Sequence, residues 1–167
     1  ASYLSESEAR SRAGGHFFLS NTVNKPSAPN NGAILTISNI LCHVMFSAAE
    51  AECGALFLNA KEGTVIRTTL EEMGYPQPPI PLKTDNSTAD GIANDTIKQR
   101  RSRAIDIRFY SVRCPVNQGQ LRVFWAPGKD NLADYFTKHH APSHHRTMRP
   151  QYLQESNIRT QTPARVC

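Results

Sequence analysis

Long apolar runs, clustered cysteines and a leader-like start are all missing from this 167-residue sequence. No stretch approaches the roughly 20 consecutive apolar residues that a membrane-spanning helix needs, and no signal-peptide pattern opens the chain. The cysteines lie far apart and form no Cys-x-x-Cys pair: Cys42, Cys53, Cys114 and Cys167. This spacing argues against a zinc ribbon or a disulfide framework, so we expect a protein of a reduced, intracellular compartment without a membrane partner.

The first position holds Ala1 where a methionine is usual, so we expect a piece of a longer polypeptide or a truncated reading frame. Hydrophobic residues make up 39% of the chain and charged residues 20%, which is typical of a globular protein. The length suits one domain with a substantial core. The formal net charge of +5 favours an anionic partner such as nucleic acid, although an ordinary solvated surface explains it equally well.

The first part of the sequence predicts an antiparallel strand hairpin. Residues 15–20 and 33–37 are short runs of strand-forming residues on either side of a Pro/Asn-rich loop, and Asn31-Gly32 gives a turn signal. A third apolar stretch, 40–46, is expected to continue this meander as a strand. The beginning of the chain therefore predicts up to three consecutive antiparallel strands.

A long helix is predicted next. Ser47 and Glu50 form a capping box, which marks the start of a helix. We expect it to run to about Met73, because Gly74 stops it, and Gly63 weakens its middle by roughly 1 kcal/mol relative to alanine. The predicted apolar face consists of Ala51, Ala55, Leu58, Val65, Ile66, Leu70 and Met73.

The second half alternates predicted strands and helices. A strand over 80–85 ends on a carboxylate and leads into a short helix over 87–93, and a basic, partly helical segment over 98–113 follows. A strand over 120–125 then precedes a last helix over 131–138. Strands followed by alternating helices and strands indicate an α/β fold, in which a mixed sheet is flanked by helices.

Three further expectations concern the end of the chain. Asp130 should cap the last helix, and Phe124 and Trp125 in the preceding strand should be core residues. Residues 139–167 are rich in His, Arg, Pro and Gln, so we expect a flexible basic tail behind a domain over 1–138. The histidine pairs of this tail lack the spacing of a fixed tetrahedral metal site.

Three carboxylates occupy positions suited to chemistry: Glu52 early in the long helix, Asp85 at the end of a strand, and Asp134 in the last helix. Carboxylates from separate elements can converge on Mg²⁺, which prefers oxygen ligands. Each also has a structural explanation, since acidic residues favour helix starts and an aspartate after a strand often caps a turn. Spacing alone does not decide between these readings.

Four ordered blocks of sequence carry a family resemblance. They are SAAEAE at 47–52, TDNSTA at 84–89, RSRAIDIRFY at 101–110 and NLADYFTK at 131–138. In this order they closely resemble the ribonuclease H domain of copia-type LTR retrotransposon Pol polyproteins. The resemblance runs from Ala1 to about Tyr152, which is nearly the whole chain.

The resemblance implies a ribonuclease H-like fold and a metal-dependent endonuclease that hydrolyses the RNA strand of RNA/DNA hybrids during reverse transcription. The family holds two Mg²⁺ ions, or Mn²⁺, with four acidic residues in the order Asp, Glu, Asp, Asp. Glu52, Asp85 and Asp134 match the second, third and fourth of these. The implied partners are the hybrid and the reverse transcriptase and integrase parts of the same polyprotein, in a cytoplasmic virus-like particle or the nucleus.

The first family aspartate would lie directly before the segment that Ala1 begins, so the first central strand is expected to be largely missing. Metal affinity and turnover should then fall steeply, and neighbouring strands should be left with unpaired backbone groups. Cys53 stands where the family has an aromatic residue, and Pro115 should end the helix before it. A truncated, inactive remnant that at most binds nucleic acid is therefore the alternative, and a domain that only packs against a reverse transcriptase is a weaker one.

A basic segment between the third and fourth carboxylates suits a nucleic-acid partner, because a duplex is held mainly through its phosphates. The alternative is an ordinary basic surface helix paired with Asp95 and Asp106. With the family resemblance we prefer substrate binding, and polar residues beside Asp85 are added to the candidates. The predicted nucleic-acid-binding residues are Asn86, Ser87, Lys98, Arg100, Arg101, Arg103 and Arg108.

Overall fold

The computed structural model describes residues 1–20, 32–97 and 103–153, and over 103–109 it describes the backbone only. Its strands and helices are β1 (Arg12–Phe18), β2 (Ala33–Ile40), α1 (Ala48–Glu72), β3 (Ile80–Thr84), α2 (Ser87–Ala93), α3 (Arg103–Asn117), β4 (Leu121–Trp125) and α4 (Pro142–Tyr152). Short 3₁₀ helices lie at Ser7–Ala9, Gly128–Asp130 and Leu132–Phe136. The predicted α/β class is confirmed. None of the helices in these ranges has the length and apolar composition of a membrane span.

The predicted antiparallel hairpin is confirmed. β1 pairs with β2, with Gly15 opposite Ile37. The prediction of a third strand over 40–46 is wrong, because Ile40 is the last residue of β2 and the rest of that stretch is irregular. The side chain of Met45 is buried against Gly54 of α1, so this segment covers the start of the helix and is not part of a sheet.

α1 begins where the sequence predicts. The Ser47 hydroxyl accepts a hydrogen bond from the Glu50 N–H at 3.1 Å. The Glu50 carboxylate accepts from the Phe46 N–H at 2.7 Å, one residue before the cap, and so completes a variant of the predicted capping box.

The buried face of α1 differs from the prediction in the second half of the helix. Val65 is 58% exposed and Met73, just past the helix, is 65% exposed. The first half is enclosed instead, because β1, β3, α2 and α3 all pack against α1. Small side chains allow this close packing, and the buried residues are Ala51, Glu52, Cys53, Gly54, Ala55, Leu56, Asn59, Ala60 and Gly63.

β3 and β4 form a parallel pair in which Leu82 lies opposite Val123 and Thr84 opposite Trp125. The connection between them contains α2 and α3, and α3 continues to Asn117, two residues beyond Pro115. The prediction that Pro115 ends the helix is therefore wrong. The main core lies between these elements and α1, and its buried members are Cys53, Leu56, Ala60, Leu82, Ala89, Ile92, Ala93, Val112, Leu121 and Val123.

The expected single mixed sheet is divided. Among the strands in the described ranges, β1 pairs with β2 and β3 with β4, which gives two separate two-stranded sheets. At the edge of the first sheet, Ser2 also forms an isolated antiparallel bridge with Arg12 of β1. Both sheets pack on α1, and Gly14–Phe17 of β1 face Leu82 and Lys83 of β3 across a cavity and not through backbone hydrogen bonds. The helix, and not continuous strand pairing, therefore holds the two sheets together.

The end of the domain also differs from the prediction. The segment expected as a helix over 131–138 is a 3₁₀ helix, and its cap is Asn131, whose side chain accepts from the Ala133 N–H at 3.2 Å. Part of the expected flexible tail is ordered as α4. The Tyr152 hydroxyl donates to the Leu132 carbonyl at 2.7 Å, and the Tyr152 ring stacks on Tyr135 at 4.8 Å. These aromatic contacts order a segment for which the polar composition predicts flexibility.

Candidate functional site

Glu52 lies on the buried face of α1, where a charged residue is unusual. Glu52 is only 8% exposed. One carboxylate oxygen is paired with the amino group of Ala1, and the other is 3.5 Å from the Thr84 hydroxyl at the end of β3. A buried carboxylate needs such partners, because an isolated buried charge is costly.

Asp85 brings a second carboxylate to the same place. Burial raises the pKa of Glu52, the Ala1 amino group lowers it, and the neighbouring Asp85 carboxylate raises it again. Two adjacent carboxylates repel each other when both are ionised, and they therefore favour a bound cation. Of the three predicted catalytic residues, the structure thus brings Glu52 and Asp85 together.

Polar contacts at the carboxyl end of β3 hold this pair. Thr84 is fully buried, and its hydroxyl accepts from the Asn86 N–H at 3.2 Å. The Asn86 side-chain oxygen accepts from the Ala89 N–H at 3.0 Å, so Asn86 caps α2. Ser87, the first residue of α2, is exposed. The two predicted polar contacts therefore differ: Asn86 has a structural role, whereas Ser87 is open to solvent.

Trp125 and Gly128 enclose Asp85 from the side of β4. The Trp125 indole N–H donates to the Asp85 carbonyl at 3.0 Å. A side chain at Gly128 would have its Cβ 2.9 Å from an Asp85 carboxylate oxygen, so it would displace that carboxylate. The prediction that Trp125 is a core residue is wrong, since it is 50% exposed. The alternation of apolar and polar residues along β4 cannot show that the Trp125 indole turns towards the end of the neighbouring strand β3.

Asp134 lines the same cavity of about 70 Å³ as Glu52. Its carboxylate accepts from the Lys138 ammonium group at 2.7 Å and from the Thr137 hydroxyl at 3.2 Å. Within the part of the chain that the structure describes, no group of three His, Cys, Asp or Glu side chains is arranged to hold a metal ion. Asp134 thus lines the same cavity as Glu52, but its carboxylate is paired with Lys138.

A cysteine nucleophile does not fit this site. Cys53 follows Glu52 on α1, and burial raises the pKa of its thiol to about 12. The thiol therefore stays protonated at neutral pH and is a poor nucleophile. The chemistry available at the site belongs to the carboxylates.

Five of the predicted nucleic-acid-binding residues are basic, and none of their side chains is among those that the structure describes. Lys98, Arg100 and Arg101 lie outside the described residues. Arg103 and Arg108 belong to α3, and their side chains are likewise outside the description.

Arg113 is described, and it has a structural role. Its guanidinium group pairs with Asp95 at 3.0 Å and donates to the Ile92 carbonyl at 2.9 Å. These contacts link α3 to the end of α2. For this arginine the alternative of a paired surface residue is confirmed.

A comparison with known proteins finds a distant relative. The chain is 28% identical over 109 residues to the Retrovirus-related Pol polyprotein from transposon TNT 1-94 of Nicotiana tabacum. The match covers 65% of this chain and 8% of the polyprotein, so the chain spans a small part of that relative. No family model matches the chain, and no solved structure matches it. The similarity supports an origin in a retrotransposon Pol polyprotein.

Proposed function

We propose that the chain is a ribonuclease H, a metal-dependent endonuclease that hydrolyses the RNA strand of RNA/DNA hybrids. The observation that carries the proposal is the adjacent carboxylate pair of Glu52 and Asp85 at the carboxyl end of the parallel strands. Ligands of α/β proteins commonly bind at this edge. The similarity to a retrotransposon Pol polyprotein supports nucleic acid as the substrate class.

The residues present fit a hard divalent cation. Glu52 and Asp85 offer carboxylate oxygens. Burial raises the pKa of Glu52, repulsion by Asp85 adds to this rise, and positive charge relieves that repulsion. Asp134, on the same cavity as Glu52, would add a third carboxylate on turning from Lys138. Two Mg²⁺ ions, or Mn²⁺, would activate water and stabilise the leaving oxygen of the phosphodiester.

The protein's own groups would position these carboxylates. The Thr84 hydroxyl orients the buried Glu52, and the backbone of Asn86 in turn holds Thr84. The carbonyl of Asp85 is fixed by Trp125. Such outer contacts restrict the rotation of acidic side chains before substrate binds.

The substrate would be held through its phosphates, and the 2′-OH would distinguish the RNA strand. The exposed Ser87 is a candidate contact beside Asp85. The basic residues proposed to contact phosphates are Lys98, Arg100, Arg101, Arg103 and Arg108. In the polyprotein the domain would work beside the reverse transcriptase and integrase parts.

The test is cleavage of an RNA/DNA hybrid labelled on the RNA strand, with Mg²⁺ or Mn²⁺ and an all-DNA duplex as substrate control. The Glu52→Gln and Asp85→Asn changes should each lower the cleavage rate. The decrease should exceed the roughly 10–100-fold that follows when a hydrogen-bond partner of a metal ligand is removed. Glu72→Gln, an exposed residue at the end of α1, should leave cleavage unchanged. Hybrid binding without any cleavage by the unmodified chain would favour the inactive-remnant alternative and overturn the proposal.

A further inference from the structure

The chain has a single tryptophan, and its position is unusual. Trp125 is the last residue of β4 and is 50% exposed, although indole is among the largest apolar side chains. Its N–H donates to the Asp85 carbonyl at 3.0 Å. The ring is therefore fixed at one edge while a large part of its surface faces solvent.

The parallel register explains why the ring lies at the carboxylate pair. Trp125 is opposite Thr84, and the next residue, Ala126, donates its N–H to the Thr84 carbonyl at 2.9 Å. Thr84 in turn contacts Glu52, so ring and carboxylates belong to one hydrogen-bonded edge. An anchored aromatic ring at this place loses little conformational freedom when a ligand covers it.

The chemistry of an exposed indole beside two carboxylates selects among ligands. The carboxylates repel an anion unless a cation is present, whereas the flat face of the indole attracts the faces of sugars and nucleobases. Ser87, two residues after Asp85, and Lys129, four residues after Trp125, are exposed and would be candidate contacts for the accompanying phosphates. A nucleotide strand provides sugars, nucleobases and phosphates together.

We propose that Trp125 is a positioning residue, on which a sugar or unstacked base of the bound strand packs so that the adjoining phosphodiester lies at Asp85. This inference rests on the proposed function in taking nucleic acid as the ligand. It makes Trp125 important for binding and register, with the chemical step left to the carboxylates. Loss of the ring should accordingly raise KM more than it lowers kcat.

The single tryptophan gives a direct test on the unmodified chain. An RNA/DNA hybrid is titrated with Ca²⁺ in place of Mg²⁺, so that a cation offsets the carboxylate charge without supporting efficient cleavage. The tryptophan emission is followed together with the anisotropy of a fluorescein-labelled hybrid. Stacking should quench the emission over the same concentration range in which the anisotropy rises. An unlabelled all-DNA duplex, titrated in the same way, shows whether the contact favours the RNA-containing strand pair.

Two variants separate the ring from its hydrogen bond. Trp125→Ala should weaken hybrid binding by about tenfold or more, the usual effect of losing one stacking platform. Trp125→Phe keeps a ring without the N–H and should retain most of the affinity. Tyr75→Ala removes another exposed aromatic residue, beyond the far end of α1 from Glu52, and should change nothing. Circular dichroism verifies that each variant is folded.

The outcomes distinguish this inference from the proposed function. A rise in anisotropy with unchanged emission overturns the role of Trp125 and leaves the nuclease proposal standing. Failure of the unmodified chain to bind any hybrid overturns both. Equal affinities for Trp125→Ala and the unmodified chain also overturn the role of the ring, even where the emission is quenched.

Discussion

The side-chain amide of Asn59 donates to the carbonyl of Gly14 at 3.0 Å and so connects α1 to β1. It also donates to the Ala55 carbonyl of its own helix at 2.8 Å, and Asn59 is only 9% exposed. Asn59 lies two helical turns after Glu52 and therefore on the same face of α1. This contact fixes the helix that carries Glu52 against the first sheet.

The first prediction is that Asn59→Ala destabilises the fold. The change removes both hydrogen bonds and leaves the buried Gly14 carbonyl without this donor, at a cost of about 1–3 kcal/mol. Urea denaturation measures the free energy of unfolding. Asn39→Ala, at an exposed position of β2, is the matched control and should change that free energy by less than about 0.5 kcal/mol. Equal effects of the two changes would show that the Asn59 contact is unimportant.

Gly14→Ala should be destabilising for a different reason. The added Cβ would lie 2.4 Å from the Ala133 carbonyl oxygen, which belongs to the backbone of the 3₁₀ helix that carries Asp134. A backbone atom cannot move aside alone, so the segment must shift, at a cost of about 1–3 kcal/mol. Thermal denaturation would show this loss as a lower Tm, and an unchanged Tm would contradict the observed packing.

Gly63→Ala should have the opposite sign. Gly63 lies within α1, where alanine is favoured by up to about 1 kcal/mol. The new Cβ would be 3.4 Å from the Ile80 side chain, an ordinary van der Waals contact. The Tm should therefore rise by about 2–4 °C in a chain of this size. A fall in Tm would mean that β3 packs on the helix more tightly than this distance indicates.

Elements with strong local signals were predictable. Ser47 marks the start of α1 through its own hydrogen bond, and α2 occupies the predicted residues. The exposure of the second half of α1 was not predictable, because periodicity shows that a helix has an apolar face and not how far neighbouring elements extend along it. The order of α4 was also missed, since it depends on Tyr135 and Tyr152 meeting across the fold.

The proximity of two of the candidate acidic residues was predictable, whereas their surroundings were not. The adjacency of Glu52 and Asp85 followed from the resemblance, whereas spacing alone left each with a structural explanation. Thr84 and Trp125 join the site through the register of two parallel strands. That register depends on the long connection between β3 and β4, which local sequence patterns do not encode.

The raised pKa of Glu52 predicts a pH dependence of stability. Since burial and Asp85 raise it above the ordinary value of 4.5, the folded protein binds this proton more tightly than the unfolded chain. The resulting stabilisation is fully present below the ordinary pKa and is lost as the pH rises through the raised one. Glu52→Gln cannot ionise, so its Tm relative to the unmodified chain should be higher at neutral pH than in acid.

A pH series of thermal denaturation curves measures this difference. Glu72→Gln, an exposed change on the same helix, controls for the loss of one negative charge. The two variants should diverge as the pH rises from the ordinary glutamate pKa to neutrality. A Glu52→Gln variant that loses stability on going to neutral pH would mean that the pairing with the Ala1 amino group outweighs burial.

The last prediction concerns the lysine that neutralises Asp134. Lys138 and Asp134 form an ion pair at 2.7 Å whose side chains are 49% and 30% exposed, and exposed pairs contribute no more than about 1 kcal/mol. Lys138→Gln should thus cost little stability while it frees the Asp134 carboxylate and removes a positive charge from the site. Under the proposed function, Mn²⁺ should then bind severalfold more tightly, as measured by electron paramagnetic resonance.

Lys61→Gln removes the same charge from an exposed position on α1 and should leave Mn²⁺ affinity unchanged. If both variants bind Mn²⁺ as the unmodified chain does, Asp134 takes no part in holding the cation, and Glu52 and Asp85 are the only two of the three carboxylates that remain as ligands.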